Sequence, residues 1–304
     1  MSKTSSKLSK INLRYIAYSF MSHTSRFWGD SFYLRAVYRI CFGRKLNLDN
    51  PQTFNEKLQW LKLYNRKSIM TTMVDKIEAK KYVADVIGEE YIIPTISIFE
   101  TVEEIDWDKL PNQFVLKCTH DSGGVVVCKD KNKLNIAEAS AKLKKALNQT
   151  YYFSKREWPY KNVKPRIICE KYLSNNGEDL DDYKVFNFNN GPQIILVCKD
   201  RFKNNGLTED FFTDKWEHLD IARLEHPNSN NCIKKPDNLE KILELSSLLS
   251  KGYPFLRTDF YSVDGKIYFG ELTFFPSSGF NGFNPNEWDE KLGSRIILPA
   301  KEKV

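Results

Sequence analysis

Arg257, Asp259 and Glu271 stand inside two otherwise apolar runs, residues 255–263 and 266–274. A charge in such a run must be paired or bound to a metal, because an isolated charge out of water is very costly. Asp264-Gly265 between the runs predicts a hairpin. Which side chains share a face depends on that turn. A two-residue turn pairs Val263 with Lys266 and sends Asp259 and Glu271 to opposite faces. A three-residue loop of Val263, Asp264 and Gly265, with Gly265 left-handed, pairs Ser262 with Lys266 instead. It gathers Arg257, Asp259, Glu271 and Thr273 on one face, and it is the register expected here. Two carboxylates and a hydroxyl then suit Mg²⁺, completed by phosphate and water. Arg257 could hold a transferring phosphoryl group. A buried ion pair at a sheet end is the alternative reading of the same residues.

Three further clusters carry weaker signals. Lys117 ends an apolar run and is followed by Ser122-Gly123-Gly124. Glycines let backbone N–H groups approach phosphate oxygens, and a nearby lysine neutralises their charge. The stretch has no GxxxxGK[ST] pattern, so it is not a Walker A loop, and a simple turn between strands would read the same way. Residues 166–173 form an apolar run that ends in Glu170-Lys171-Tyr172-Leu173. Its backbone could face a purine edge, with Glu170 accepting from an exocyclic amine, or it could simply enter solvent with a surface ion pair. Ser277-Ser278-Gly279 follows the hairpin and could receive a substrate carboxylate, or turn the chain after Pro276.

The elements that must position these groups follow from caps and periodicity. Thr53 and Glu56 form a capping box that opens a helix to about Asn65. Asp75 and Glu78 open a second helix, closed by Gly88. Residues 92–99 read as an edge strand that tolerates Pro94. Strands are expected at 113–118, 125–128 and 166–173, with a loop at 121–124 and a helix from Asn135 to about Gln149. A hairpin around Asn190-Gly191 joins 183–188 to 193–198. Asp237 caps a helix to Lys251, closed by Gly252. Hairpins are frequent and strands alternate irregularly with helices. The expected class is therefore α+β with antiparallel sheets, not a doubly wound parallel sheet.

The 304 residues carry a net charge of +7, placed unevenly. Residues 1–45 hold nine Lys or Arg against one acid, Asp30, and sum to +8. Such an arm suits an anionic polymer or lipid surface, or serves as a solvated face. Residues 32–42 read as an amphipathic helix, and the Ser/Lys-rich first ten residues as disordered. No secretory pattern and no bilayer-length apolar run is present. The six cysteines lack CxxC spacing and read as reduced, mostly buried hydrophobes, which places the protein in the cytoplasm. The four histidines form no zinc pattern.

Taken in order, the clusters resemble the ATP-grasp superfamily over residues 70–280: Asp75-Lys76, Gly88, Pro94, Lys117 with its glycine loop, Glu170 to Leu173, Arg257-x-Asp259 and Glu271. A fuller set resembles the TupA-like ATP-grasp family, associated with teichuronopeptide, capsule and other surface polysaccharides. It comprises NPQTFNEKLQWLK at 50–62, VDK at 74–76, FVLKC at 114–118, KPRII at 164–168, DYKVF at 182–186 and FGELT at 269–273. The resemblance spans about residues 45–290 and implies a nucleotide clamped between two α+β lobes. By that resemblance Lys76 and Lys117 lie near the phosphates and adenine. Ser122, Gly123 and Gly124 form the flexible loop over the β- and γ-phosphates, and Glu170, Lys171, Tyr172 and Leu173 the adenine hinge. Asp259 and Glu271 are the Mg²⁺ ligands and Arg257 the phosphoryl-stabilising arginine. Lys184 lies near the nucleotide or acceptor. Many relatives carry Asn two residues after the metal Glu, where this chain has Thr273, a weaker ligand for a second Mg²⁺.

What the resemblance implies is an ATP- and Mg²⁺-dependent carboxylate–amine ligase. A carboxylate would attack the γ-phosphorus of ATP, and an amine would displace phosphate from the acyl phosphate. The expected partners are a uronic-acid sugar or glycan and an amino acid or small amine, with no nucleic acid. An amino-acid carboxylate joined to an amino sugar is the reverse assignment. A kinase or phosphotransferase, or an enzyme labelled glycosyltransferase in the same pathway, is the alternative, and a non-catalytic scaffold a third class. Expected divisions are a basic helical extension at 1–47, an N-terminal lobe at 48–105, a central lobe at 106–175 and a C-terminal lobe at 176–304. The extension could touch the inner membrane face peripherally.

Overall fold

The computed structural model describes residues 2–121, 123–175, 180–199, 206–229 and 232–301, with the backbone alone for 2–12. The chain begins with α1 (Ser2–His23), α2 (Asp30–Phe42), α3 (Phe54–Tyr64), α4 (Ile69–Val74) and α5 (Glu78–Ile87). Next come β1 (Thr95–Phe99), β2 (Phe114–Cys118), β3 (Val125–Cys128), α6 (Ile136–Leu147), α7 (Tyr151–Lys155) and β4 (Ile167–Lys171). The rest is β5 (Asp182–Phe188), β6 (Ile194–Lys199), β7 (Thr208–Thr213), β8 (Ala222–Arg223), α8 (Leu239–Ser250), β9 (Phe255–Val263), β10 (Lys266–Thr273), β11 (Phe283–Asn284) and α9 (Glu287–Ser294).

Among the described residues two main sheets form, in the orders β1-β4-β2-β3 and β10-β9-β5-β6-β7, with a short β8–β11 pair beside them. Every ladder between these strands is antiparallel, as expected for α+β. β1 is an edge strand, and Pro94 lies just outside it, where its missing N–H breaks no ladder. A lone parallel bridge from Ile92 to Phe269 ties the chain before β1 to the larger sheet.

Each sheet has its own core. Leu116, Cys169 and Ile167 of the small sheet pack on Leu143 of α6. The larger sheet buries its face under α3 and α8, with Phe54 meeting Phe255 at 5.0 Å, Phe283 at 5.9 Å and Phe186 at 6.2 Å between ring centroids. Each such ring contributes about 1.5–3 kcal/mol by leaving water. Leu34 and Tyr38 of α2 belong to this larger core, so the basic extension is built into the fold from α2 onward. Arg156, just after α7, is fully buried and holds the extension by hydrogen bonds to the Ser25 and Trp28 carbonyls and an ion pair with Asp30 at 3.0 Å.

Local signals succeed where the side chain has no better partner. Thr53 and Glu56 form the expected capping box, and Asn135 caps α6. Asp75 does not cap α5. Its carboxylate accepts from Arg166 at 2.9 Å and from the Ile77 N–H, so the helix opens at Glu78 and Lys76 sits in the turn before it. Asn238, not Asp237, precedes α8. The first ten residues, expected as disordered, are helical from Ser2, in a stretch with neither Gly nor Pro before Gly29. All six cysteines are free. Cys118, Cys128, Cys169 and Cys198 are buried in strands, whereas Cys232 is exposed.

Candidate functional site

The turn at Asp264-Gly265 has two residues, both left-handed (φ 49° and 77°), and pairs Val263 with Lys266. The three-residue loop expected from the sequence is therefore wrong. Taken alone, this turn would separate Asp259 from Glu271. The register is restored downstream, where a β-bulge between Phe269 and Glu271 leaves Gly270 without a ladder partner. Glu271 then faces Asp259 and Thr273 faces Arg257, so the four side chains share a face after all. A Cβ on residue 270 would lie 3.2 Å from the Asp259 carbonyl and 3.2 Å from the Tyr261 ring, which explains the glycine at the bulge.

Arg257 binds the group together. Its Nε donates to Asp259 Oδ1 at 2.7 Å, and its Nη2 donates to Asp259 Oδ2 at 2.8 Å, Glu271 Oε1 at 2.6 Å and Thr273 Oγ1 at 3.0 Å. Lys184 of the neighbouring β5 donates to Asp259 and pairs with Asp182 at 2.6 Å. Burial would raise the Glu271 carboxyl, but Arg257, Lys184 and Lys76 outweigh it and pull it down to about 2. Burial would lower the Arg257 and Lys184 cations, but the carboxylates outweigh it and hold both above their ordinary values. Asp259 moves the other way, because it is 1% exposed and shares the site with Glu271 and Asp182. Glu271, at 45%, opens to the cleft.

Across the cleft the small sheet supplies the opposite charge. Glu170 on β4 is clamped by Lys80 at 2.5 Å and by Lys117 of β2 at 2.7 Å. Burial pushes Glu170 up, yet the two lysines outweigh it and leave its carboxyl below the ordinary range. With both oxygens so engaged, Glu170 orients lysines and is not a free acceptor for an exocyclic amine. Lys76 reaches the Cys118 carbonyl at 2.9 Å and the Asp121 carbonyl, and burial lowers its pKa. Past Lys171 the chain leaves the sheet, so Tyr172 and Leu173 carry backbone groups outside the ladder. A cavity of about 290 Å³ lies between the sheets, lined by Lys76, Lys117, Glu170, Lys171, Tyr172, Leu173, Lys184, Asp259 and Glu271.

The cavity is polarised. On the large-sheet side three carboxylates (Asp182, Asp259, Glu271) face two cations (Arg257, Lys184), and on the small-sheet side five lysines (Lys76, Lys80, Lys117, Lys129, Lys171) face two carboxylates (Asp121, Glu170). The first side has negative charge to spare for a cation, and hard carboxylate oxygens suit Mg²⁺. The second suits phosphates. The residues present thus fit Mg²⁺ and a nucleotide, although no described group of three or more His, Cys, Asp or Glu forms a complete metal site by itself.

The other expected residues are placed elsewhere. Gly124 is packed against Ala146 and Cys118, and its N–H is taken by Asp121 at 2.9 Å. Gly123 lines a separate groove. Ser122 lies outside the described residues. Ser277, Ser278 and Gly279 form a left-handed turn pinned inward. Ser277 accepts from Arg223 at 2.7 Å, Ser278 donates to Glu157, and Gly279 abuts Gln59. Lys80, Asp182, Tyr160 and Tyr261 line the cavity but were not expected there. Asp182 and Lys184 alternate in a strand buried on both faces, the same signal that marks Arg257 and Asp259. Lys80 has no local signal, because its role arises from Glu170, ninety residues away in sequence.

No curated protein matches the chain as a relative. Among solved structures it resembles a D-alanine–D-alanine ligase from Bacillus anthracis complexed with ATP, at 19% identity over 67% of this chain and 55% of that one, with a TM-score of 0.38. It also resembles the D-alanine–D-alanine ligase of Helicobacter pylori, at 16% identity over 80% and 69%, TM-score 0.41, and a phosphoribosylamine–glycine ligase from Thermotoga maritima, at 18% identity over 71% and 52%, TM-score 0.39. The chain spans only about half the length of the first and third of these. The model of the TupA-like ATP-grasp family matches residues 56–297, a span that contains both sheets and every residue of the polarised cavity. The chain belongs to the TupA-like ATP-grasp family.

Proposed function

We propose that the protein is an ATP-dependent carboxylate–amine ligase that joins an amino acid or small amine to a uronic acid of a surface polysaccharide or its precursor. The observation that carries this reading is the cavity with lysines on one wall and carboxylates on the other, in a family named for the ATP-grasp. In this reading Tyr172 and Leu173 present backbone groups to the base, and Lys76 and Lys117 neutralise phosphate charge. Asp259 and Glu271 would hold Mg²⁺, which neutralises the phosphates and polarises the transferring group when bound. Arg257 and Lys184 keep these carboxylates ionised and aimed, and Arg257 lies within reach of the transferring phosphoryl. The substrate carboxylate attacks the γ-phosphorus and forms an acyl phosphate while ADP leaves. The neutral amine then forms the C–N bond as phosphate departs with the C–O electrons, and the proton lost by the nitrogen passes to the departing phosphate or to water.

The test is release of ADP and inorganic phosphate over nucleotide-linked uronic acids combined with amino acids. Release of both products, dependent on both substrates, is expected. Asp259→Asn and Glu271→Gln should each lower turnover at least about a hundredfold, the scale of lost electrostatic stabilisation at a phosphoryl site. ADP release with an alcohol acceptor and phosphate retained on the product would make the protein a kinase.

We also propose peripheral membrane contact through residues 1–45. No described helix is long and apolar enough to cross a membrane. The support is the +8 charge of this segment together with exposed Leu13, Ile16, Phe20, Phe27 and Phe32.

A further inference from the structure

Tyr160 lines the cavity with a half-buried phenol. It belongs to a short 3-10 turn, Trp158–Asn162, with the buried Pro159 in its first positions. Proline fixes the backbone at such a start and sacrifices no hydrogen bond there. The turn packs on α4 and α7, and Trp158 and Tyr160 both rest against the larger core. The Tyr160 N–H donates to the Glu157 carbonyl at 3.1 Å. Its ring meets that of Tyr151 edge to face, with centroids 5.0 Å apart. Glu157 is buried beside this pair, and its carboxylate accepts from the Tyr151 hydroxyl at 3.3 Å and from Ser278. Backbone, ring and polar neighbours thus hold the phenol in one place.

The hydroxyl itself makes no hydrogen bond to a described residue, and it keeps accessible surface. Burial pushes it well above the ordinary tyrosine value, with Glu157, Glu271 and Tyr151 adding to the shift and Arg257 opposing it. The oxygen therefore lies in the field of Glu271 and Arg257, at the transfer end of the cavity. Tyr261 also lines the cavity, but after burial the charges that act on it most are those of Asp182, Lys117 and Lys184. The cations of the site are already engaged. Asp259, Glu271 and Thr273 take Nε and Nη2 of Arg257, Asp182 and Asp259 take Lys184, two carbonyls take Lys76, and Glu170 takes Lys117. Tyr160 is a neutral donor with nothing yet to donate to, and a donor fixed before its acceptor arrives costs no reorganisation when the charge develops.

We propose that Tyr160 is a catalytic residue whose hydroxyl donates a hydrogen bond to an oxygen of the terminal phosphoryl group of bound ATP. The proposal rests on the ligase reading and deepens it. The phenol keeps its proton, so no covalent bond at Tyr160 forms or breaks. A neutral donor suits this position. A lysine or arginine there would pair with Glu271 and compete with Mg²⁺ for it, whereas a hydroxyl stabilises the phosphoryl oxygens and adds no charge. ADP ends at its β-phosphate and offers the hydroxyl no such oxygen.

Tyr160→Phe tests this, because it removes one oxygen and keeps the ring against Tyr151. Titration calorimetry measures the affinities of MgADP and of the magnesium complex of the non-hydrolysable analogue AMP-PNP for both proteins, with melting temperatures beside them. The ratio of AMP-PNP to ADP affinity should fall about tenfold in the variant, the scale of one hydrogen bond to a charged group. MgADP affinity and melting temperature should hold. A ratio that stays at the wild-type value overturns the inference. So does a parallel fall in both affinities, which is what a purely structural role of the hydroxyl would give. Failure of the wild type to bind either nucleotide overturns the ligase reading instead.

Discussion

Lys62 is fully buried in α3, and its ammonium donates to Gln59 Oε1 at 3.0 Å, the Lys155 carbonyl at 2.8 Å and the Ser278 carbonyl at 2.7 Å. It pins the left-handed 277–279 turn beside the hairpin. Burial pulls its pKa from 10.5 down to about 7 and pushes neighbouring Glu157 up. The sign of the pH effect follows. Between about 7 and 10.5 the unfolded chain keeps a proton that the folded chain has lost, so stability rises with pH. Below about 7 both states hold it and the slope vanishes. The slope is at most about 1.4 kcal/mol per pH unit. Lys62→Met should cost about 1–3 kcal/mol through the unpaired carbonyls and remove that slope. Denaturant midpoints across this range check it, and parallel pH curves for the two proteins would refute the assignment.

At the scale of elements the β9–β10 hairpin is decided at two points that compensate. The two-residue turn shifts Glu271 off Asp259's face, and the bulge at Gly270 shifts it back. Turn chemistry is local and readable, but a lone glycine in a strand signals a bulge only weakly. The right face was thus expected for the wrong reason. Gly270→Val would drive a side chain against the Asp259 carbonyl and the Tyr261 ring. It should cost about 1–3 kcal/mol as overpacking and reduce ADP release out of proportion, because Glu271 moves with the bulge. Thermal melts and the ADP assay separate the two effects. A valine variant with wild-type values in both would show that the bulge does not need glycine.

At the scale of the molecule, the extension both completes the core and leaves an apolar stripe uncovered. Leu13, Ile16 and Phe20 follow helical spacing on α1 and stay 65%, 62% and 59% exposed. Deleting residues 1–45 would remove Leu34 and Tyr38 from the larger core, so membrane contact is better tested by surface changes. The wild type should sediment with vesicles rich in anionic lipid, less so at high salt, and not with zwitterionic vesicles. Leu13→Glu/Ile16→Glu/Phe20→Glu should abolish sedimentation without altering the melting temperature. A wild type that ignores anionic vesicles, or self-associates through this stripe instead, removes the membrane reading.

By itself the amino-acid sequence determined the α+β class, the capping of α3 and α6, the strand holding Lys117 and the pairing of charge with apolar run at Arg257 and Asp259. These depend on neighbours within a turn or a strand, where period and cap chemistry act locally. Only the tertiary structure decided that Glu170 is clamped by Lys80 and Lys117, and that Gly124 and Ser278 are tied inward. Those facts depend on which side chains meet across sheets and loops far apart in sequence, and a polar group's role is set by the partner it meets there.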